Sequence, residues 1–179
     1  MTMIYPLFAD RAPDVSPAHL AAVLPRITAM IGDGAYTDAD ALLRTALAGW
    51  DPGTAAPHPF LIAAAHAYVR LLPVSDALSA KRWARYARNA ARELFGRADQ
   101  RTADAITSLC LALSPTPHAE RAAHRELAQA HLELLEICVR VYGQQAQETH
   151  RAYTSHAHAS RAYAAACARD LTGAGRPTP

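Results

Sequence analysis

The sequence predicts an all-α fold, and three features of its composition and patterning lead to that prediction. Of the 179 residues, 51% are apolar, and alanine, the strongest helix former, is abundant among them. β-branched residues do not gather into alternating runs, so no strand is indicated. Apolar residues instead recur at three- and four-residue intervals between prolines and glycines, which delimits seven helices with mostly short connections.

Prolines, glycines and N-cap residues set the order of the elements. Residues 1–15 are expected to form an extended apolar arm, residues 16–171 a helical domain, and residues 172–179 a disordered tail. Pro25 is expected to kink the first helix or end it early. The expected N-caps of the first, second and fourth helices are Ser16, Thr37 and Ser75. The predicted helices cover about residues 17–30, 38–48, 59–72, 76–95, 101–113, 118–142 and 146–171.

Charge and cysteine content exclude several classes of protein. The formal net charge is +2, which is too balanced to indicate a nucleic-acid partner. The three cysteines are dispersed and form no CxxC motif, which argues against a disulfide framework or a zinc ribbon. No apolar run is long enough to span a membrane, and the first ten residues do not resemble a signal peptide. We therefore expect a cytoplasmic protein.

The first predicted helix pair carries a recognisable turn. Gly34, Tyr36, Ala39, Ala46 and Pro52 follow one another with the offsets of the turn between the two helices of a tetratricopeptide repeat, which this segment resembles. Small residues at these positions let one helix lie close against the other, and the aromatic ring fills the joint. The resemblance implies a solenoid of paired helices.

A second signal recurs further along the chain. Residues 92–96 end in Phe95-Gly96 and precede Thr102, while residues 139–143 end in Tyr142-Gly143 and precede Thr149, 47 residues after Thr102. A weaker copy begins at residues 58–59. An aromatic-Gly helix end followed by a polar loop and a threonine resembles the longer repeat of kinesin-light-chain type. The expected fold is a short right-handed α-solenoid of about three helix pairs plus a C-terminal helix, with a seven-helix bundle as the alternative.

In the tetratricopeptide family, the first helix of each pair lines a concave groove and the second faces outward. The resemblance therefore places the groove on the first, third, fifth and seventh predicted helices. The polar side chains on the last three of these helices are the candidate binding residues: His66, Arg70, Asp104, Thr107, Ser108, His150, Tyr153 and Arg161.

The fourth predicted helix carries a basic stripe, defined by Lys81, Arg85, Arg88 and Arg92 at helical spacing. A continuous positive stripe can dock an acidic peptide or a phosphate backbone. The other interpretation is a solvated outer face, which agrees with an outward-facing second helix of a pair.

The histidines do not have the spacing of a helical metal site. His150, His156 and His158 lack the i, i+4 relation of a helical zinc pair, and His124 and His131 lie about 10 Å apart along one helix. The last two are expected to lie on a helix–helix seam, hydrogen-bonded to neighbours. No metal or cofactor is expected.

These observations favour a non-catalytic scaffold or adaptor that binds a protein or peptide, since no phosphate loop, GxSxG or HExxH motif is present. A homodimer through the last helix is also expected, because terminal repeats need caps. The alternative function is a small-molecule-binding regulator or an enzyme, whose pocket in the helical concavity would use His124, His131 or the histidines of the last helix.

Overall fold

A computed structural model describes residues 16–113 and 121–173 of the chain. Within these ranges all regular structure is helical and no strand occurs, which confirms the all-α prediction. The predicted arm over residues 1–15 and the double-proline break at residues 114–117 lie outside the described residues, as does the predicted tail beyond residue 173. The helices are α1 (Pro17–Gly32), α2 (Tyr36–Leu47), α3 (Pro59–Arg70), α4 (Ala77–Phe95), α5 (Gln100–Leu113), α6 (Arg121–Tyr142) and α7 (Gln147–Gly173).

The helix starts agree with the sequence in one case and differ in two. Ser16 caps α1 as predicted, and its side chain accepts a hydrogen bond from the His19 backbone N–H at 3.1 Å. The prediction of Ser75 as the cap of α4 was wrong: the Asp76 carboxylate accepts from the backbone N–H groups of Leu78 and Ser79. The prediction of Thr37 for α2 was also wrong, because that helix begins at Tyr36, two residues before the predicted start, and has no side-chain cap.

Pro25 lies inside α1 without ending it, contrary to the early end that was one expected outcome. Proline removes one backbone N–H from the helix ladder. Pro25 is exposed, so water can hydrogen-bond the carbonyl that loses its partner. The opposite face of the helix buries Leu20, Leu24 and Ile27, and this packing holds the helix together past the proline.

The helices pack in chain order. Every helix–helix contact among the described residues joins helices one or two positions apart, and α1, α3 and α5 contact one another in series. Two clusters of buried side chains form the core, one mainly from α1 to α4 and one mainly from α5 and α6. The helix α7 contacts α6 alone among the described helices. Within the described ranges, no helix has the length and apolar character needed to cross a bilayer.

The two copies of the aromatic-Gly signal adopt the same local structure. Gly96 and Gly143 have φ angles of 87° and 86°, in the left-handed region that glycine enters without a steric penalty. The Thr102 hydroxyl donates to the Gly96 carbonyl at 2.7 Å, and the Thr149 hydroxyl donates to the Gly143 carbonyl at the same distance. Both threonines are buried. We call this arrangement the glycine–threonine joint; it closes the turns α4–α5 and α6–α7 identically.

Replacing Thr102 or Thr149 with valine keeps the volume and removes the hydroxyl donor. We expect each change to lower the free energy of unfolding by about 1–2 kcal/mol, because the hydrogen bond from the buried threonine to the glycine carbonyl is lost. Urea denaturation followed by circular dichroism measures this. The matched control is Thr107→Val: Thr107 donates to the Ala103 carbonyl from an exposed position, so its loss is expected to be close to neutral. Equal effects at Thr102 and Thr107 would contradict this prediction.

Candidate functional site

An open cavity of about 300 Å³ lies between α3 and α5. We call it the first cavity. Its lining is mainly apolar on α3 and at the end of α4, and polar on α5. A mostly apolar concavity with a few polar groups is the usual character of a ligand site. The lining residues are Pro59, Ile62, Ala63, His66, Phe95, Arg101 and Asp104.

Two of the predicted groove residues, His66 and Asp104, line this cavity, and a third, Ser108, bonds to His66. The Nδ1 atom of His66 lies 2.6 Å from the Ser108 hydroxyl, which joins α3 to α5. Burial lowers the pKa of His66, and the Asp104 carboxylate partly offsets that effect. The imidazole is therefore neutral at pH 7, and its orientation is held by Ser108. Asp104 is exposed one helical turn before Ser108 on the same face of α5.

An arginine–aromatic stack forms another part of the cavity wall. The guanidinium of Arg101 lies 3.6 Å from the centroid of the Phe95 ring. Its Nε and one terminal nitrogen donate to the Asp99 carboxylate at 2.9 and 3.0 Å. These side-chain bonds, with the bond from the Arg101 backbone N–H, hold the pKa of Asp99 at about 2. The stack joins the end of α4 to the start of α5 beside the glycine–threonine joint.

A second cavity, of about 320 Å³, lies on the other side of α5, between that helix, α6 and α7. Asp104 lines both cavities, so its carboxylate stands between them. The Gln100 side chain donates to this carboxylate at 3.0 Å and also accepts from the Tyr142 hydroxyl. The polar side chains that α7 contributes to this second cavity are Glu148, Arg151 and Ser155.

Thr107 lines the second cavity, and the remaining predicted groove residues lie elsewhere or at the margin. Arg70 is exposed one turn beyond His66 on α3 and does not line the first cavity. Tyr153 is 60% exposed. His150 and Arg161 are also exposed, on the side of α7 opposite Ala152 and Ala159, which are buried.

The sequence did not predict several of the residues that line the two cavities. Helical periodicity counted from Thr149 could have identified those on α7. Thr149 is buried as the equivalent of Thr102. Counting about 100° per residue from Thr149 places Glu148, Ala152 and Ser155 on one side of the helix and His150 away from it. Phe95 and Arg101 were predicted only as the last residue of the fourth helix and the first residue of the fifth.

The basic stripe of α4 is partly neutralised by α6. Arg85 donates two hydrogen bonds to Glu126, at 2.7 and 2.6 Å, and Arg92 lies 2.5 Å from Glu133. The arginines are seven residues apart, and so are the glutamates. We call these two ion pairs the Arg–Glu ladder. Arg88 and Lys81 also act on Glu126 and help to lower its pKa, after Arg85. Both sequence interpretations treated the stripe as one continuous row of cations. Two of its four cations are instead paired with glutamates of α6.

The histidines of α6 lie on or near helix seams, but not with the expected hydrogen bonds. Both ring nitrogens of the buried His124, and Nδ1 of His131, lack a hydrogen-bond partner among the described residues. Burial, together with His156 and His158, lowers the pKa of His131, so these α7 residues lie within electrostatic range of it. No group of three potential metal ligands occurs in the described part of the chain. Burial raises the pKa of Cys110 to about 12, which leaves its thiol unreactive near neutral pH.

No protein-family model matches the sequence, and comparisons with curated proteins and with solved structures find no match either.

We expect His66 to titrate below pH 6.5 when its imidazole signal is followed by NMR, with His66→Gln as the assignment control. Because burial lowers its folded-state pKa, the unfolded state binds the proton more readily. The contribution of His66 to stability is therefore complete above pH 6.5 and is lost as the pH falls below it. Asp104→Asn should lower the pKa further. A pKa at or above 6.5 in the wild-type protein would overturn this assignment.

The Arg–Glu ladder is expected to couple α4 to α6 energetically. A double-mutant cycle of Arg92→Met and Glu133→Gln should give a coupling of about 1 kcal/mol in urea denaturation, because this pair is partly shielded from water. The pair of Arg82 and Asp51, in which both side chains are about half exposed, serves as the control, with about 0.3 kcal/mol expected. A ladder coupling no larger than that control would show that the pair does not join the helices.

Proposed function

We propose that this chain is a short solenoid of tetratricopeptide-like helix pairs that binds a segment of another protein. Two observations support the architecture. The helices contact only their near neighbours in chain order, which is the contact pattern of stacked repeats. The glycine–threonine joint also recurs with the same glycine conformation and the same hydrogen bond.

The observation that carries the binding function is the position of His66 and Asp104 in the first cavity, with His66 held by Ser108. They come from α3 and α5, which are neighbouring first helices of their pairs in this interpretation. Asp104 also lines the second cavity. Two apolar-lined cavities on either side of one carboxylate can receive two side chains of an extended segment, while Asp104 accepts a hydrogen bond from the segment between them.

Binding is favoured over catalysis by the position of Ser108. The short bond to a neutral His66 resembles the first step of nucleophile activation. However, Ser108 lies within α5, where the backbone N–H groups beside it are engaged in the helix ladder. Acyl transfer needs free donors close to the nucleophile to stabilise the oxyanion. We therefore assign Ser108 the role of orienting His66 within a recognition surface.

The role that follows is that of a non-catalytic cytoplasmic adaptor or regulator. Its partner would be a protein or peptide, and no cofactor enters the proposal. The homodimer through α7 stays a prediction. Such a dimer would bury the exposed face that carries His150, Tyr153 and Arg161.

The proposal is tested by blocking the first cavity. Ala63 lines it and is exposed, so Ala63→Trp is expected to fill it without disturbing the core. Peptides selected from a random displayed library on the wild-type protein should bind this variant at least about tenfold more weakly, equivalent to about 1.4 kcal/mol, by fluorescence anisotropy.

The matched control is Ala41→Trp, an exposed alanine of the outward helix α2, which should leave affinity unchanged. A library that yields no binder of the wild-type protein, or binders that Ala63→Trp retains, would contradict the proposal.

A further inference from the structure

The second cavity lies where the series of contacting helices is interrupted. The helix α3 contacts both α1 and α5, whereas α5 and α7 do not contact each other in the described part of the chain. The helix α6 packs against both α5 and α7 and closes the gap between them on one side. The second cavity is this gap, and its lining comes from all three helices.

The lining of this cavity divides into an apolar floor and a polar rim. The floor consists of the buried or half-buried side chains, which are Ala103, Leu134, Cys138 and Ala152. A buried thiol behaves as a small apolar group, so the floor is apolar throughout. The rim consists of exposed hydroxyl and amide groups and of three exposed charged side chains, Asp104, Glu148 and Arg151. A matching ligand places an apolar group on the floor and polar groups at the rim.

The rim carries an excess of one negative charge. Asp104 of α5 and Glu148 of α7 are carboxylates, and Arg151 contributes one guanidinium. Neither carboxylate belongs to an ion pair with another described residue. Asp104 is bound by the neutral amide of Gln100, which leaves its charge in place. A ligand with one positive charge would therefore neutralise the rim, whereas an acidic ligand would meet two carboxylates and one cation.

We propose that the second cavity binds the free amino terminus of a partner segment whose first residue is apolar. The ammonium group lies between Asp104 and Glu148, and the first side chain lies on the floor. Both groups leave the same Cα atom, which keeps the charge at the rim while the side chain is buried. A lysine or arginine side chain would instead carry its charge to the apolar floor, where burial is costly. This inference rests on the proposed peptide-binding function and specifies which part of the partner is bound.

The first cavity continues the same site. In an extended segment, the side chains of alternate residues lie on the same side, about 7 Å apart. Asp104 lines both cavities, so a terminus held there directs its third side chain into the first cavity. Arg151 and Ser155 line the second cavity and supply donors for the first carbonyl groups of the segment.

Recognition of an amine makes binding depend on pH. The titratable groups that line the cavity are Asp104 on α5, Cys138 and Tyr142 on α6, and Glu148 and Arg151 on α7. Partial burial raises the pKa of Cys138 and that of Tyr142, so both lose their protons later than a peptide amine does. A peptide amine has a pKa of about 8. Affinity should therefore fall about tenfold between pH 7 and pH 9, as the ammonium loses its charge.

Random synthetic pentapeptides with fluorescein at the carboxyl end test this proposal, each made once with a free and once with an acetylated amino terminus. Acetylation removes the charge and keeps every side chain. Binding to the full chain is measured by fluorescence anisotropy. We expect peptides with a free terminus to bind at least about tenfold more tightly at pH 7 than their acetylated forms. Acetylated peptides should show no loss between pH 7 and pH 9.

Variants of the two carboxylates locate the amine. Asp104→Asn and Glu148→Gln should each weaken binding of the free-terminus peptides about five- to tenfold, because each removes one charge-assisted hydrogen bond. Both should change the affinity of the acetylated peptides less than about twofold. The matched control is Asp38→Asn, which removes an exposed carboxylate from the first turn of α2 and should leave both affinities unchanged.

Equal binding of free and acetylated peptides would overturn the inference. So would an equal loss of both peptide forms in Glu148→Gln, or a need for the free terminus that neither carboxylate variant alters. If the peptides in these cases still lose affinity for Ala63→Trp, the peptide-binding function stands and only the recognition of the terminus fails. If no peptide of either form binds, both proposals are contradicted.

Discussion

Close approach of helix backbones through alanine is the constraint on which this fold depends. Ala64 and Ala65 of α3, and Ala87 and Ala91 of α4, are completely buried where these helices meet their neighbours. A methyl group lets two helices lie near each other, but it removes little apolar area from water. Stability must then come from many close contacts between neighbouring helices. Among the described helices, those in the middle of the chain have neighbours on several sides, whereas α7 packs along a single extended seam with α6.

The two cavities draw on different parts of this helical packing. The first cavity lies between α3 and α5, which belong to the well-packed middle of the chain and are joined by the bond between His66 and Ser108. The second cavity takes one wall from α7. Asp104 belongs to α5 and lines both cavities, so the residue they share comes from the middle of the chain.

The sequence was sufficient for features that arise from neighbouring residues and insufficient for those that arise from distant ones. Seven helices could be predicted because hydrophobic periodicity, and the prolines and glycines that end helices, are local signals. The two threonines of the glycine–threonine joints could be matched because they belong to the same sequence motif. The cap of α4 was misassigned because Ser75 and Asp76 are both good cap residues, and only backbone geometry decides between them. His66 and Ser108 were both candidates, but their partnership across 42 residues depends on how α3 packs against α5.

The ion pairs between α4 and α6 are also contacts between distant residues that the sequence did not predict. The arginines of the basic stripe were visible as a set, and their interpretation depended on which helix lay opposite. Glu126 and Glu133 repeat the seven-residue spacing of Arg85 and Arg92, but a match of spacing gains meaning only when α4 and α6 are known to run side by side. What was treated as a surface for an external anion is, at two of its positions, an internal contact.

The equal spacing of the two ion pairs also restricts how α6 can move. A slide of α6 along its own axis by one turn, about 5.4 Å, would separate both pairs at once. Lys81 and Arg88 of the basic stripe repeat the same seven-residue spacing one turn earlier on α4. A slide of one turn towards the start of α4 would therefore bring both glutamates to other cations. Axial sliding by one turn exchanges one set of pairs for another, whereas a small pivot about the line joining the pairs keeps the present pairs intact. Because the second cavity lies between α5, α6 and α7, its width would change by tilting of α6, while the residues facing each other across it stay in register.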